Sequence, residues 1–497
     1  MEPTVRKGGP ADPAAVRRVI ERFLEAAKKP VLIEAGEERI ALAAGNYVLE
    51  ERGPSLTLQA WDERRNLVRR IVAIDAESRG RLDLRFERFG KKFGTVALVD
   101  LDRDRREHLE LRTARLEFRE EFRRFLRRQS PTYKIAELST EANLEESLSP
   151  VYARALLRSG TSAWAAIGAG PDCLNVDGIL SFGLIWLDYV RRRERSLTVH
   201  GLILLLPAGR EKTTCLRLRY MDTKVAEYRA FAYTGDGVEC GLDLKDYGNV
   251  DTRLEPVCRR VAGPVDGLVA RLVAKESVEA IDCPSGAISL RVHGLEFART
   301  AGHELLFGFE KPCVANESNV AEVERLADEL SRLRSADAPD KRNPLYLRGR
   351  ELWLESQVRA RLEEIDARLL PSPVYGQAPG FVAGERGIID LLAVERDGRL
   401  AILELKASED IHLPLQALDY WIRVKWHLDR NEFEAAGYFP GISVRREVPP
   451  RIMFVAPALE FHASNERVLR YFSPEIDVER IGVASEWQRC LKVMFRM

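Results

Sequence analysis

Three ionisable residues stand inside two otherwise apolar runs late in this 497-residue chain. The first run is Gly387-Ile388-Ile389-Asp390-Leu391-Leu392-Ala393-Val394. The second is Leu400-Ala401-Ile402-Leu403-Glu404-Leu405-Lys406-Ala407. An unpaired charge is costly to bury, so charges kept in such runs must be partnered or used. Asp390 and Glu404 are hard oxygen donors, suited to Mg2+ or Mn2+. An ion between them could polarise a phosphate and lower the pKa of a bound water. Lys406 shares a strand face with Glu404, where it could orient that water and offset developing negative charge. The chemistry open to this set is metal-assisted attack at phosphorus.

The two carboxylates meet only in one register. Arg396-Asp397-Gly398 separates the runs, and a three-residue hairpin loop with Gly398 left-handed pairs Glu395 with Arg399. Counting back then sets Asp390 opposite Glu404. A two-residue loop sets Asp390 opposite Leu405 and sends the carboxylates to opposite faces.

Two helices flank the hairpin. Residues 350–369 carry Leu354, Val358, Leu362 and Ile365 on one face. Glu351 projects into that stripe and Glu355 lies at its edge. Residues 414–428 follow the hairpin, with Leu415, Leu418, Ile422 and Trp426 as the expected core stripe. Gln416, Tyr420, Arg423 and His427 recur at helical spacing beside it. They face either the cleft or solvent. Gln416 and Tyr420 stand nearer the hairpin than Arg423 and His427.

This arrangement resembles the PD-(D/E)xK nuclease superfamily, the restriction-endonuclease-like group that includes Holliday-junction resolvases. The resemblance covers about residues 350–460, in the order helix, strand, strand, helix, strand. It implies an αβββαβ-type mixed sheet. It implies metal ligands at Glu355, Asp390 and Glu404, with Lys406 as the family's lysine and Gln416 as the glutamine many members carry on the next helix. Tyr420 and Arg423 are weaker candidates for contact with substrate. Ile389 stands where the name-giving proline would be. The implied activity is a divalent-metal-dependent endonuclease using Mg2+ or Mn2+ on nucleic acid, DNA before RNA. The alternative is an inactive member of the fold that binds nucleic acid or assembles with a partner. Another reading of the hairpin is that its charges simply pair with one another.

The rest of the chain must carry and assist such a site. The fold class expected overall is α/β. A mostly-β domain is expected over residues 1–101, opening with a helix at 13–28 and continuing in a series of short strands that could close as a barrel. Residues 102–334 are expected to form a charged helix and a middle α/β domain, acting in recognition or as a degenerate nuclease-like copy. In that helix Leu111, Phe118, Phe122 and Phe125 make an apolar stripe, and glutamates interleave its arginines. A solvated, balanced face therefore suits it better than a phosphate-contacting one. The middle region reads as a helix near 148–158, a helix from 178 onward containing Leu187-Asp188-Tyr189, a strand at 199–206 and strands near 214–220, 227–233 and 287–293. The C-terminal Leu418-Asp419-Tyr420-Trp421, ahead of a strand at 451–456, weakly echoes this order. Chance explains so short an echo better than duplication does. The polar, proline-bearing segment 335–344 is the expected linker before a domain at 345–497.

Length suggests about three domains. Apolar residues make up 45% and charged residues 31%, the balance of a folded soluble chain. Net charge is zero, and residues 345–497 hold 21 Lys and Arg against 23 Asp and Glu, a net of −2. Phosphate binding must come from a local patch or from other parts of the chain. No apolar run reaches the ~18 residues of a membrane span, and the first residues lack a signal-peptide core. Seven dispersed cysteines without a Cys-x-x-Cys pair suit a reducing cytoplasm. No membrane partner is expected, and pairing into a homodimer is left open.

Overall fold

The computed structural model describes residues 12–34, 39–42, 47–52, 55–61, 66–78, 80–88, 92–101, 105–143, 145–171, 173, 175–234, 237–258, 265–283, 285–309, 312–341, 343–376 and 389–497. They form a mixed α/β molecule that divides into two compact units. Residues 1–114 with 339–348 make one, and 115–338 with 349–497 make the other. Among the described residues no helix is long and apolar enough to cross a membrane.

In the first unit, the helix Pro13–Ala26 begins where the Asp12 side chain accepts the Ala14 N–H. Val16, Ile20 and Leu24 repeat at helical spacing and bury against a seven-stranded antiparallel sheet. The sheet runs from Ile40–Ala41 at one end to Tyr47–Arg52 at the other. Among the described residues no pairing closes it into a barrel.

The second unit holds two α/β lobes. The first contains β1 (Lys134–Ser139), β2 (Tyr152–Ser159), β3 (Ser162–Ala169), α1 (Ile179–Arg193), β4 (Thr198–Pro207), α2 (Lys212–Leu218), β5 (Glu227–Tyr233) and β6 (Glu239–Gly241). Its strands lie in chain order, with β3, β4 and β5 parallel and the outer pairs antiparallel. Two sequence expectations are corrected here. The stretch expected as a helix near 148–158 is β2, and the strand expected near 214–220 is α2. β2 is buried on both faces, so its apolar residues run on without alternation and mimic a buried helix. In α2 the buried Cys215 and Leu218 follow helical spacing despite two preceding threonines.

The charged helix Arg105–Gln129 lays Phe118, Phe122, Phe125 and Leu126 on Ala153, Ala155, Leu157, Trp164 and Ala166 of β2 and β3. Glu120 pairs with Arg119 and Arg123 on its outer side. The division between the two compact units falls inside this helix, between Ala114 and Arg115. The segment 335–344 is split as well: Ala338 is buried in the second unit, and 339–348 belong to the first.

The second lobe contains α3 (Arg350–Ala360), β7 (Tyr375–Gly376), β8 (Leu391–Val394), β9 (Leu400–Leu405), α4 (Leu413–Asp429), β10 (Arg451–Pro457), α5 (Ala463–Leu469), β11 (Asp477–Val483) and β12 (Val493–Arg496). Again the six strands lie in chain order, with β9, β10 and β11 parallel and the outer pairs antiparallel. Strand for strand and helix for helix, β1–β6, α1 and α2 recur as β7–β12, α4 and α5. The helix expected over 350–369 ends at Ala360. Arg361 leaves helical geometry, and a short turn of helix, Leu362–Ile365, follows.

A five-stranded antiparallel sheet over residues 278–314 positions α3. Its hairpin residue Gly294 has φ +77°, and a Cβ there would fall 1.9 Å from the Leu352 carbonyl oxygen. Only glycine lets the two backbones approach so closely. Buried Arg334 lies 5.2 Å from the Trp353 ring centroid and donates to the His293 carbonyl at 2.9 Å.

Candidate active site

The connection between β8 and β9 decides the site. The Glu395 N–H donates to Arg399 O at 2.7 Å, and the Gly398 N–H donates to Glu395 O at 2.9 Å. Gly398 has φ +90°. This is the three-residue loop, and the ladder that follows pairs Leu391 with Leu403. One further step along that register sets Asp390 opposite Glu404, on one face. The Asp390 carboxylate also accepts the Leu405 N–H at 2.8 Å.

Glu404 is 2% exposed, and its Oε2 is buried with no hydrogen-bond partner. Lys406 Nζ lies 3.4 Å from Glu404 Oε1, 3.8 Å from Glu351 Oε1 and 3.9 Å from Asp410 Oδ2. Burial raises both strand carboxyls. Asp390 is pushed well above the usual range by burial and then by the charge of Glu404. Glu404 is pushed up to about 7 by burial, with Glu351 and Asp410 adding to the effect against Lys406. Burial opposes the ammonium form of Lys406, but Glu404, Glu351, Asp390 and Asp410 outweigh it and hold the proton on. The site is thus a crowded group of carboxylates around one lysine.

The two acidic residues of α3 have different surroundings. Glu355 Oε1 accepts from Arg359 Nη2 at 2.8 Å and lies 3.6 Å from Arg291 Nη1. Its carboxylate is held by this arginine pair, with Arg291 reaching it from the five-stranded sheet, and its charge also contributes to raising Asp390. Glu351, one turn earlier, is the α3 carboxylate beside Lys406. Sequence reasoning singled out Glu355 by analogy and left Glu351 and Asp410 without a role. The signal for Glu351 was present, since it lies within the apolar stripe of its helix.

On α4, burial raises the Tyr420 phenol, and the charges of Glu404 and Asp390 raise it further, so it stays protonated facing them. Arg423 Nη1 is buried without a hydrogen-bond partner. Gln416 is half-buried in the first turn, on the same face one turn before Tyr420. His427 turns inward, between Thr252 Oγ1 at 2.9 Å and Glu432. Trp421 fills the core position expected for Trp426 and donates its Nε1 to Pro450 O at 2.8 Å. Trp426 lies instead beneath the Arg430 guanidinium, 3.3 Å from the ring centroid.

Asp390 and Glu404 supply the oxygen donors that a hard dication takes, and the orphaned Glu404 Oε2 is a donor in want of a partner. Among the described residues no group of three or more His, Cys, Asp or Glu side chains is drawn together tightly enough to hold a metal ion. A third carboxylate from α3 would have to close on the pair. Comparison of the chain with protein-family models, curated proteins and solved structures finds no match.

Proposed function

We propose that the second lobe is a restriction-endonuclease-like phosphodiesterase acting on nucleic acid, DNA before RNA, with Mg2+ or Mn2+. The observation that carries this reading is the pair Asp390 and Glu404. The two lie side by side at the end of buried strands, with one carboxylate oxygen left without a hydrogen bond. Such a pair destabilises the fold, and bound positive charge relieves it. A divalent ion held by Asp390 and Glu404 would supply Lewis-acid polarisation of a phosphate oxygen and a water of lowered pKa. Lys406 keeps its proton at neutral pH, so its part is electrostatic, holding a water or a phosphate oxygen by hydrogen bonding. Protonated Tyr420 acts as a second donor, and the Arg423 guanidinium offers charge to a neighbouring phosphate. Gln416 stands on the same helix face to position water. The free cysteines fit a reducing, cytoplasmic setting.

A panel of single-stranded, duplex and branched DNA and of RNA, incubated with Mg2+ and Mn2+, tests the reading. Cleavage should require the metal and be lost in Asp390→Asn and Glu404→Gln. Full cleavage by both variants overturns it.

A second reading has its own observation. Lys406 already lies among Glu404, Glu351 and Asp410, and Glu355 is engaged by two arginines. On that reading the lobe is an inactive member of the fold that binds nucleic acid or a partner. It expects metal-independent binding and no cleavage of any substrate in the panel.

A further inference from the structure

The two lobes of the second unit do more than repeat a topology. Leu187-Asp188-Tyr189 of α1 recurs as Leu418-Asp419-Tyr420 of α4, and Leu218-Arg219-Tyr220 after α2 recurs as Leu469-Arg470-Tyr471 after α5. In that alignment Ser181 corresponds to His412, and Met221 to Phe472. Both pairs of counterparts touch each other. Ser181 Oγ lies 3.1 Å from His412 Nδ1. Met221 and Phe472 form an antiparallel bridge, flanked by hydrogen bonds from the Asp222 N–H to Tyr471 O and from the Ser473 N–H to Tyr220 O, each 2.8 Å. Corresponding residues meet one another only where an approximate two-fold axis passes between them. Ion pairs across the axis join the same elements both ways, through matching aspartates but arginines at different positions. Asp419 of α4 takes two hydrogen bonds from Arg217 of α2, at 2.8 and 2.7 Å. Asp188 of α1 lies 3.8 Å from Arg467 of α5 and 3.9 Å from Arg470 just after it. One hydrophobic core runs through both lobes.

The strand registers then locate the counterpart of the candidate site. Leu405 pairs with Val455 as Gly168 pairs with Leu205, so Glu404 corresponds to Ile167 and Lys406 to Ala169. Ile167 pairs with Arg154, which therefore stands in the place of Asp390. Arg154 is buried, and its guanidinium is taken up by the carbonyls of Ser149 and Glu141. Ile167 and Ala169 are fully buried core residues. A cation replaces the first carboxylate, and apolar side chains replace the second carboxylate and the lysine. At these three positions the first lobe therefore has neither carboxylate nor lysine.

We infer that the chain is an internal two-fold pair of nuclease-like lobes with only the second armed, and that it therefore cuts one strand of a duplex per encounter. This rests on the proposed nuclease activity. The strands of a duplex run antiparallel, so their phosphodiesters are related by two-fold axes. A two-fold pair of armed centres suits cutting both strands, and disarming one centre leaves one strand intact. The scissile bond is hydrolysed by water, so no co-reactant is needed.

Supercoiled plasmid incubated with the full-length chain and Mg2+ or Mn2+ tests this. The supercoiled form should pass wholly into open circle, with linear DNA appearing only later, as independent second nicks accumulate. Linear DNA formed as fast as open circle overturns the inference and leaves the nuclease reading standing. Cleavage of single strands with the plasmid untouched does the same. No metal-dependent cleavage of plasmid, single-stranded DNA or RNA overturns the nuclease reading itself, and the inference with it.

Discussion

At the scale of the residue, Glu404 offers the sharpest test because activity and stability should move in opposite directions. Its folded pKa, about 7, lies above the ordinary carboxylate value. The folded chain therefore holds that proton where the unfolded chain releases it. The associated stability is full below the unfolded pKa and drains away as pH rises through about 7. Glu404→Gln should flatten that loss, raising stability at pH 8 by on the order of 1–3 kcal/mol and changing it little at pH 4, in thermal melts without added metal. The same variant should lose metal-dependent cleavage. Lys406→Met should do the reverse to the fold. It strips the carboxylates of their shared cation and should cost about 3–5 kcal/mol in denaturant titration, with Mg2+ recovering part of the loss if the pair binds it. That Asp390, Glu404 and Lys406 gather in one place was open to inspection in the sequence because charges inside apolar runs are conspicuous. The arginines around Glu355 were not, since Arg291 reaches it from another sheet and no local pattern announces such a contact.

At the scale of the element, the hairpin turn carries the site. A Cβ on Gly398 would lie 2.1 Å from Ser443 O, in addition to the strain of an L-residue at φ +90°. Gly398→Ala should cost about 2–4 kcal/mol in denaturant titration and lower cleavage by loosening the register that joins Asp390 to Glu404. That register was readable from three loop residues and a known turn geometry. The elements that misled were those buried on both sides. β2 lost its alternation, and α2 opened with two threonines, so periodicity pointed the wrong way at each. The same limit explains Trp426, where spacing alone could not tell a core tryptophan from one stacked under Arg430.

At the scale of the molecule, the joint between the lobes is the feature least visible in sequence. The Leu-Asp-Tyr echo hinted at it, too short to outweigh chance, while the repeated strand order and the contacts between counterparts exist only in the folded chain. Arg217→Ala leaves Asp419 half-buried without its guanidinium and should cost about 3–5 kcal/mol. A double-mutant cycle with Asp419→Ala should return a coupling of about 1–3 kcal/mol, measured by chemical denaturation. The joint also has a consequence in mass action. Two separate subunits come apart on dilution, whereas lobes on one chain see each other at an effective concentration on the order of millimolar however scarce the protein is. The pairing of α1 with α4 should therefore be indifferent to copy number, and the melting temperature of the chain should not move as its concentration is lowered.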